Sequence, residues 1–190
     1  MAIQIIPYNP AWPDEFQRIG NRLRAALGDM ALRINHIGST SVSNLAAKDI
    51  IDVQISVAAL DPKAAAALAE IGVQRIFHID HDHAPPTFTG ADAEWSKWIF
   101  KPPASHRPAN IHMRVEGRAN QRYALLFRDY LRAQPLAAQA YAQVKLALAR
   151  RHADDVEFYY DVKDPVCDII MAGAEEWARY TGWTLPPTDA

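Results

Sequence analysis

The residues best able to do chemistry lie in two neighbouring stretches, His36-Ile37-Gly38-Ser39-Thr40-Ser41 and Lys48-Asp49-Ile50-Ile51-Asp52-Val53-Gln54. Asp52 and Gln54 stand two apart in a β-branched run, so an extended chain puts both on one face. Gly38 lets the backbone approach a ligand closely. The hydroxyls of Ser39, Thr40 and Ser41, beside free N–H groups of a turn, make an anion site. A carboxylate opposite such a cradle is what holds a hydrated divalent ion between a protein and a triphosphate. Asp52 and Gln54 are therefore the expected Mg²⁺ ligands. His112, on the later run Asn110-Ile111-His112-Met113, carries an imidazole that can act as a base or phosphate donor. Lys48, Lys101 and Arg107 are the cations expected to meet phosphate or developing negative charge.

Each of these residues also has a purely structural reading. An aspartate on an apolar strand is costly unless paired, and Lys48, Lys101 or Arg107 would serve as the partner of Asp52. Ser39 could cap a helical turn. His112 could be a hydrogen-bonded core residue. His36 reads as a brace behind the turn. The run His78-Ile79-Asp80-His81-Asp82-His83 matches no strong zinc spacing and is expected to be a solvated loop.

The rest of the chain must position this constellation. Ile3 to Ile6 reads as an edge strand or extended arm. Phe16, Ile19, Leu23, Ala26 and Leu27 recur at helical spacing after Pro13, and Gly28 is a plausible stop. Strands are expected at Ala31–Ile37, Asp49–Val57 and Val73–Ile79, with an alanine-rich helix from Asp61-Pro62 to Ile71. Trp95–Phe100 and Asn110–Val115 are expected to pair antiparallel. Beyond Gly117 the period turns helical, predicting helices over Asn120–Arg132, Leu136–Arg151 and Pro165–Tyr180. The fold class expected is α/β (α+β), a mixed sheet with flanking helices and a helical C-terminal part. One domain is expected over 1–183, with 184–190 as a frayed tail.

Composition narrows the classes of function. Of 190 residues, 49% are hydrophobic and 22% charged, which argues for a packed core. The formal net charge of −2 gives no basic excess of the kind a dedicated nucleic-acid surface carries. The single cysteine, Cys167, cannot form an internal disulfide, and it stands in an apolar helical stretch that suggests burial. No run of about 18 apolar residues and no secretory pattern is visible, so a cytoplasmic protein with no membrane partner is expected.

The chain resembles the GrpB family over nearly its whole length. The residues that carry the resemblance are Tyr8-Asn9-Pro10-Ala11-Trp12-Pro13, His36 to Val42, Leu45 to Asp52, Ile111-His112-Met113-Arg114-Val115 and Leu126-Phe127-Arg128-Asp129-Tyr130-Leu131-Arg132. Four positions depart from the family pattern. Ser43-Asn44 stands where Pro-Gly is usual, Asp49 where Pro is usual, and Asn110 where a histidine is common. The resemblance implies a nucleotidyltransferase-like fold, in which Gly-Ser is followed by an Asp-x-Asp or Asp-x-Glu pair and a third acid. Here Gln54 replaces the second acid and His112 stands near the third. Two functions follow. The first is transfer of a nucleotidyl group from a nucleoside triphosphate to an acceptor, aided by Mg²⁺. The second is a non-catalytic module that binds a nucleotide, a CoA-like ligand or another phosphorylated small molecule, or that assists a partner enzyme. The missing acids favour the second, and GrpB-like domains fused to dephospho-CoA kinase look like accessory or folding modules.

Overall fold

The computed structural model describes residues 2–190. Helix α1 spans Trp12–Leu27, with Pro13 in its first turn and Asp14 and Glu15 placed where the helix dipole favours negative charge. Strand β1 (Arg33–Ile37) follows, then a single 3-10 turn at Ser39–Ser41, strand β2 (Ile51–Val57) and helix α2 (Pro62–Glu70). Asp61 caps α2 by accepting from the Lys63 backbone N–H at 2.8 Å. Strands β3 (Gln74–Ile76), β4 (Trp98–Lys101) and β5 (Ala109–Val115) complete the sheet. Helices α3 (Ala119–Ala133), α4 (Pro135–Arg151) and α5 (Val156–Thr181) form the C-terminal part.

The sheet order is β1-β2-β5-β4-β3. Only β2 and β5 run parallel, with Asp52 opposite Asn110 and Gln54 opposite His112. The expected pairing of β4 with β5 is antiparallel as read from the sequence. Alternation along the two central strands divides the sheet cleanly. Ile51, Val53, Ile55, Ile111 and Met113 bury one face against α1 and α2, where Phe16, Leu23 and Leu68 pack on them. Asp52, Gln54, Ser56, Asn110, His112 and Arg114 point to the other face, which α3, α4 and α5 partly cover. A sheet with one apolar and one polar face needs only the apolar one sealed, and the polar face is where a cleft opens.

Of the two readings of Ile3–Ile6, the arm remains and the edge strand is not formed; Ile6 makes an isolated bridge with Ala47. Three expectations change. The strand expected over Val73–Ile79 is confined to Gln74–Ile76. Pro165 does not start the last helix but lies within it. Asp155 caps α5 ten residues earlier by accepting from the Phe158 N–H at 2.9 Å. The tail 184–190 does not fray. Thr188 Oγ1 accepts from the Ile34 N–H (2.9 Å), Asp189 Oδ2 accepts from the His36 N–H (2.9 Å), and the N–H groups of Asp189 and Ala190 donate to the Ile34 carbonyl. Gly20 of α1 leaves the space that Ala190 fills. The departures from the family pattern are also accommodated. Asn44 adopts a left-handed φ of 64°, one of the few residues besides glycine that does so readily. Asp49 accepts from the Trp12 indole at 2.8 Å.

Candidate functional site

A cleft of about 640 Å³ opens between the polar face of the sheet and the C-terminal helices. That volume suits a small-molecule ligand. Gly38, Ser39, Thr40, Lys48, Asp52, Lys101 and His112 all line it, so seven of the residues singled out from the sequence meet in one place.

The turn after β1 sets the geometry of one end. Gly38 has φ 69°, and a Cβ there would run into the Asp52 carboxylate, so only glycine lets β1 and β2 close at this point. Asp52 is 28% exposed, and the cleft is where it is exposed. Its Oδ1 accepts from Asn110 Nδ2 at 2.7 Å and lies 3.8 Å from His112 Nε2. Burial opposes its charge, but the His112 and Asn110 side chains outweigh that and hold the carboxyl below its usual range. The pKa of His112 itself is pushed down by burial, against the pull of Asp52. His36 stacks on Phe16 with ring centroids 4.7 Å apart and shares a 3.0 Å hydrogen bond with Thr40 Oγ1. Its pKa falls to about 4 because burial disfavours the imidazolium. It braces the turn from the core side, as expected.

Three expected site residues do other work. Gln54 is fully buried beneath the cleft, and both ends of its amide are committed. Its Oε1 accepts from Arg114 Nη1 at 2.6 Å and its Nε2 donates to the Gln121 carbonyl at 3.1 Å. It shares a face with Asp52 but is buried below the surface and does not line the cleft. Ser41 turns its hydroxyl back onto the Gly38 carbonyl at 2.6 Å and closes the turn. Arg107 lies outside the cleft and clamps α1 to the β2 approach, donating to Glu15 at 2.7 Å, to the Asp49 carbonyl at 2.9 Å and to the Asp49 carboxylate.

Four further residues were not singled out. Lys145 of α4 is 2% exposed. Its ammonium donates to Ser39 Oγ at 2.8 Å and to the Ala46 carbonyl at 2.5 Å, over the Tyr141 ring. Among the described residues no carboxylate pairs with it. Burial, reinforced by Lys163, lowers its pKa to about 7. The other three form a cluster on the lining of the same cleft. Asp82, from the loop expected to be solvated, accepts from Lys97 Nζ at 2.6 Å and from Arg114 Nε at 2.8 Å. Burial opposes the Asp82 charge, yet Arg114 and Lys97 hold the carboxyl far below its usual range. The same loop docks on α5 through His83 and Asp168, 2.9 Å apart. Lys145 left a signal in the sequence. Tyr141, Lys145 and Leu148 follow one helical stripe, and a lysine on a buried stripe asks for a reason.

The cleft is strongly cationic in a chain whose net charge is −2. Lys48, Lys97, Lys101, Arg114, Lys145 and Lys163 line it, against Asp52, Asp82 and Asp164. Fixed positive charge between low-dielectric walls attracts anions. The donor set does not fit a protein-held Mg²⁺ ion. Asp52 offers one carboxylate, Asn110 and His112 occupy or flank one of its oxygens, and Gln54 is closed off. Among the described residues no three His, Cys, Asp or Glu side chains group to hold a metal. Among the same residues, no helix is long and apolar enough to cross a membrane.

Comparison with known proteins places this architecture. Residues 2–172 match the family described as GrpB protein. A dephospho-CoA kinase of Mycolicibacterium paratuberculosis is 40% identical over 95% of this chain and 48% of its own length, so the chain spans about half of that curated relative. The crystal structure of the conserved protein GrpB from Enterococcus faecalis superposes with a TM-score of 0.71 at 28% identity, covering 92% of this chain and 99% of that one. The Cid1 poly(U) polymerase, solved with MgGTP bound, superposes with a TM-score of 0.54 at 14% identity, over 84% of this chain and 50% of its own. The last likeness concerns the fold alone, and that fold is nucleotidyltransferase-like.

Proposed function

This chain belongs to the GrpB family, and from that premise we propose that its cleft binds a nucleotide or other phosphorylated small molecule by the phosphates. The observation that carries this reading is Lys145. A buried ammonium without a carboxylate is costly, and here it is held against the Ser39 hydroxyl at the mouth of the Gly38–Ser39 turn, with a third N–H that no protein oxygen takes. A phosphate oxygen would supply the missing charge and acceptor together. Lys48 and Lys101 stand further along the same lining and extend the positive field.

Binding is favoured over nucleotidyl transfer. Transfer aided by Mg²⁺ draws on paired carboxylates, and Gln54 is neutral, buried and hydrogen-bonded elsewhere. The relatives named dephospho-CoA kinase carry this sequence over about half their length, which supports a phosphorylated nucleotide derivative such as a CoA-like molecule as one candidate ligand.

The test is calorimetric titration with nucleoside triphosphates, CoA and dephospho-CoA beside the corresponding nucleosides. At least one phosphorylated compound is expected to bind and the nucleosides are not. Lys145→Met should weaken that binding by about tenfold or more, the size of a charge-assisted hydrogen bond of roughly 1.5–3 kcal/mol. Nucleosides binding as well as their triphosphates would defeat the reading.

A further inference from the structure

The phosphate-binding reading raises the question of what neutralises the bound charge. Resting on that reading, we infer that the protein's own cations, Lys145 and the Arg114–Lys97 pair lining the same cleft, take the place of divalent metal, so that the site binds polyphosphate metal-free.

Gln54 and Arg114 are best understood together. Arg114 lies two residues beyond His112 on β5 and points to the same face. Its Nη1 reaches Gln54 Oε1 at 2.6 Å, and its Nη2 comes within 3.5 Å of His112 Nδ1. The guanidinium therefore sits against the side chain that replaces the second acid and next to the imidazole that flanks Asp52. A carboxylate at position 54 would present a charge to a metal. The amide oxygen instead presents a neutral acceptor to a fixed cation.

The other acids near this position are spoken for. Asp82 Oδ1 accepts from Lys97 (2.6 Å) and Arg114 Nη2 (2.9 Å), while Oδ2 accepts from Arg114 Nε (2.8 Å) and Asn120 Nδ2 (3.1 Å). Both oxygens are saturated, so Asp82 locks Arg114 and Lys97 in place and has no room for a metal, and its one charge against their two leaves the cluster with one net positive charge. Asp164, on the helical wall, pairs with Lys163 at 3.3 Å. Among the described residues, Oδ2 of Asp164 and Oδ2 of Asp52 have no protein donor, and it is Asp52 that lies beside His112 at the Gly38–Ser39 turn. A divalent ion entering there would meet Arg114, Lys97 and Lys145 in a low-dielectric cleft, where like charges repel strongly. Preset cations need no reorganisation when an anion arrives. Asp52 then opposes phosphate instead of carrying its metal, and its free oxygen suits a hydroxyl of the ligand.

The experiment is titration of the intact protein with ATP and with inorganic tripolyphosphate, in excess EDTA and in excess Mg²⁺, repeated with Asp52→Asn. Asparagine keeps the acceptor for Asn110 and removes the charge. The expected result is tightest binding with chelator, several-fold weakening by Mg²⁺ as it competes for the phosphates, and several-fold tighter binding by Asp52→Asn. Binding only when Mg²⁺ or Mn²⁺ is present, or loss of binding in Asp52→Asn, would overturn the inference and leave the phosphate reading standing. Absence of binding to either probe in every condition would overturn both.

Discussion

Lys97 and Lys145 face the same cleft and are almost equally buried, 7% and 2% exposed, but they belong to regions built on opposite plans. Lys97 is matched by Asp82, which also takes Arg114, and every oxygen and most N–H groups in that cluster are satisfied. Lys145 meets a hydroxyl and a carbonyl but no carboxylate. Burial lowers the pKa of both lysines. In Lys97 the Asp82 charge pulls back against it, while Lys145 falls to about 7. A compensated buried charge holds structure, because removing either side strands the other. An uncompensated one is a liability that function can justify. The partner, and not the residue type or the depth, separates the two.

The sharpest way to break that comparison is Asp82→Asn. It strands Lys97 and Arg114, and stability should fall by about 3 kcal/mol or more, the range for breaking a buried pair. At roughly 2–4 °C per kcal/mol, Tm should drop by about 6–12 °C. The carboxyl of Asp82 is depressed in the folded state, so its contribution is present above the unfolded pKa of about 3.9 and is lost as pH falls through the folded value. Wild type and variant should therefore converge in strong acid, measured by urea denaturation across pH. A drop no larger than a surface substitution would place the Asp82 cluster in the same class as Lys145.

Lys145→Met should go the other way, with a smaller effect. Stability without ligand should rise by about 1 kcal/mol at pH 6, since a buried charge is exchanged for an apolar side chain of similar length. The unfolded lysine keeps its proton to about 10.5 and the folded one to about 7. Between those values the unfolded state binds more protons, so wild-type stability rises with pH through that window. The advantage of the variant should be largest below pH 7, fade as pH rises above 7 and reverse before pH 10. A destabilised variant with no such fading would make Lys145 a structural lysine like Lys97. The smallest effect belongs to Arg107→Ala. With a half-exposed Asp49 among its partners it should cost about 1 kcal/mol or less, and phosphate binding should not change in the titration. Weakened binding would return Arg107 to the site.

The sequence exposes what is local in this site. Gly38, Ser39 and Asp52 come from one strand-turn-strand unit, where spacing and period 2 suffice to bring them together. Lys145 meets Ser39 across 106 positions and Arg114 meets Gln54 across 60, and such pairings depend on register and helix docking that no short window contains. Gln54 shows the limit most clearly. Its face was readable from alternation, but its depth follows from α3, whose Gln121 carbonyl covers it. Arg107 misleads for the same reason, since Glu15 and Asp49 claim it from elements far apart in the chain. The alternating and helical apolar runs, by contrast, announced the strands and the helical C-terminal part, because burial on one face writes itself directly into residue order, while the mixed sheet was implied by the family resemblance.

The tail over β1 has a consequence beyond local stability. β1 is an edge of the sheet, and an edge strand presents unpaired backbone groups to any neighbouring chain. Here the Ile34 N–H meets Thr188, the Ile34 carbonyl meets Asp189 and Ala190, the His36 N–H meets Asp189, and the His36 carbonyl meets Arg128. The ladder positions that a second molecule would need for strand addition are already filled from within the chain. These few residues thus act as negative selection against edge-to-edge aggregation, and they do so on the strand that leads directly into the Gly38–Ser39 turn.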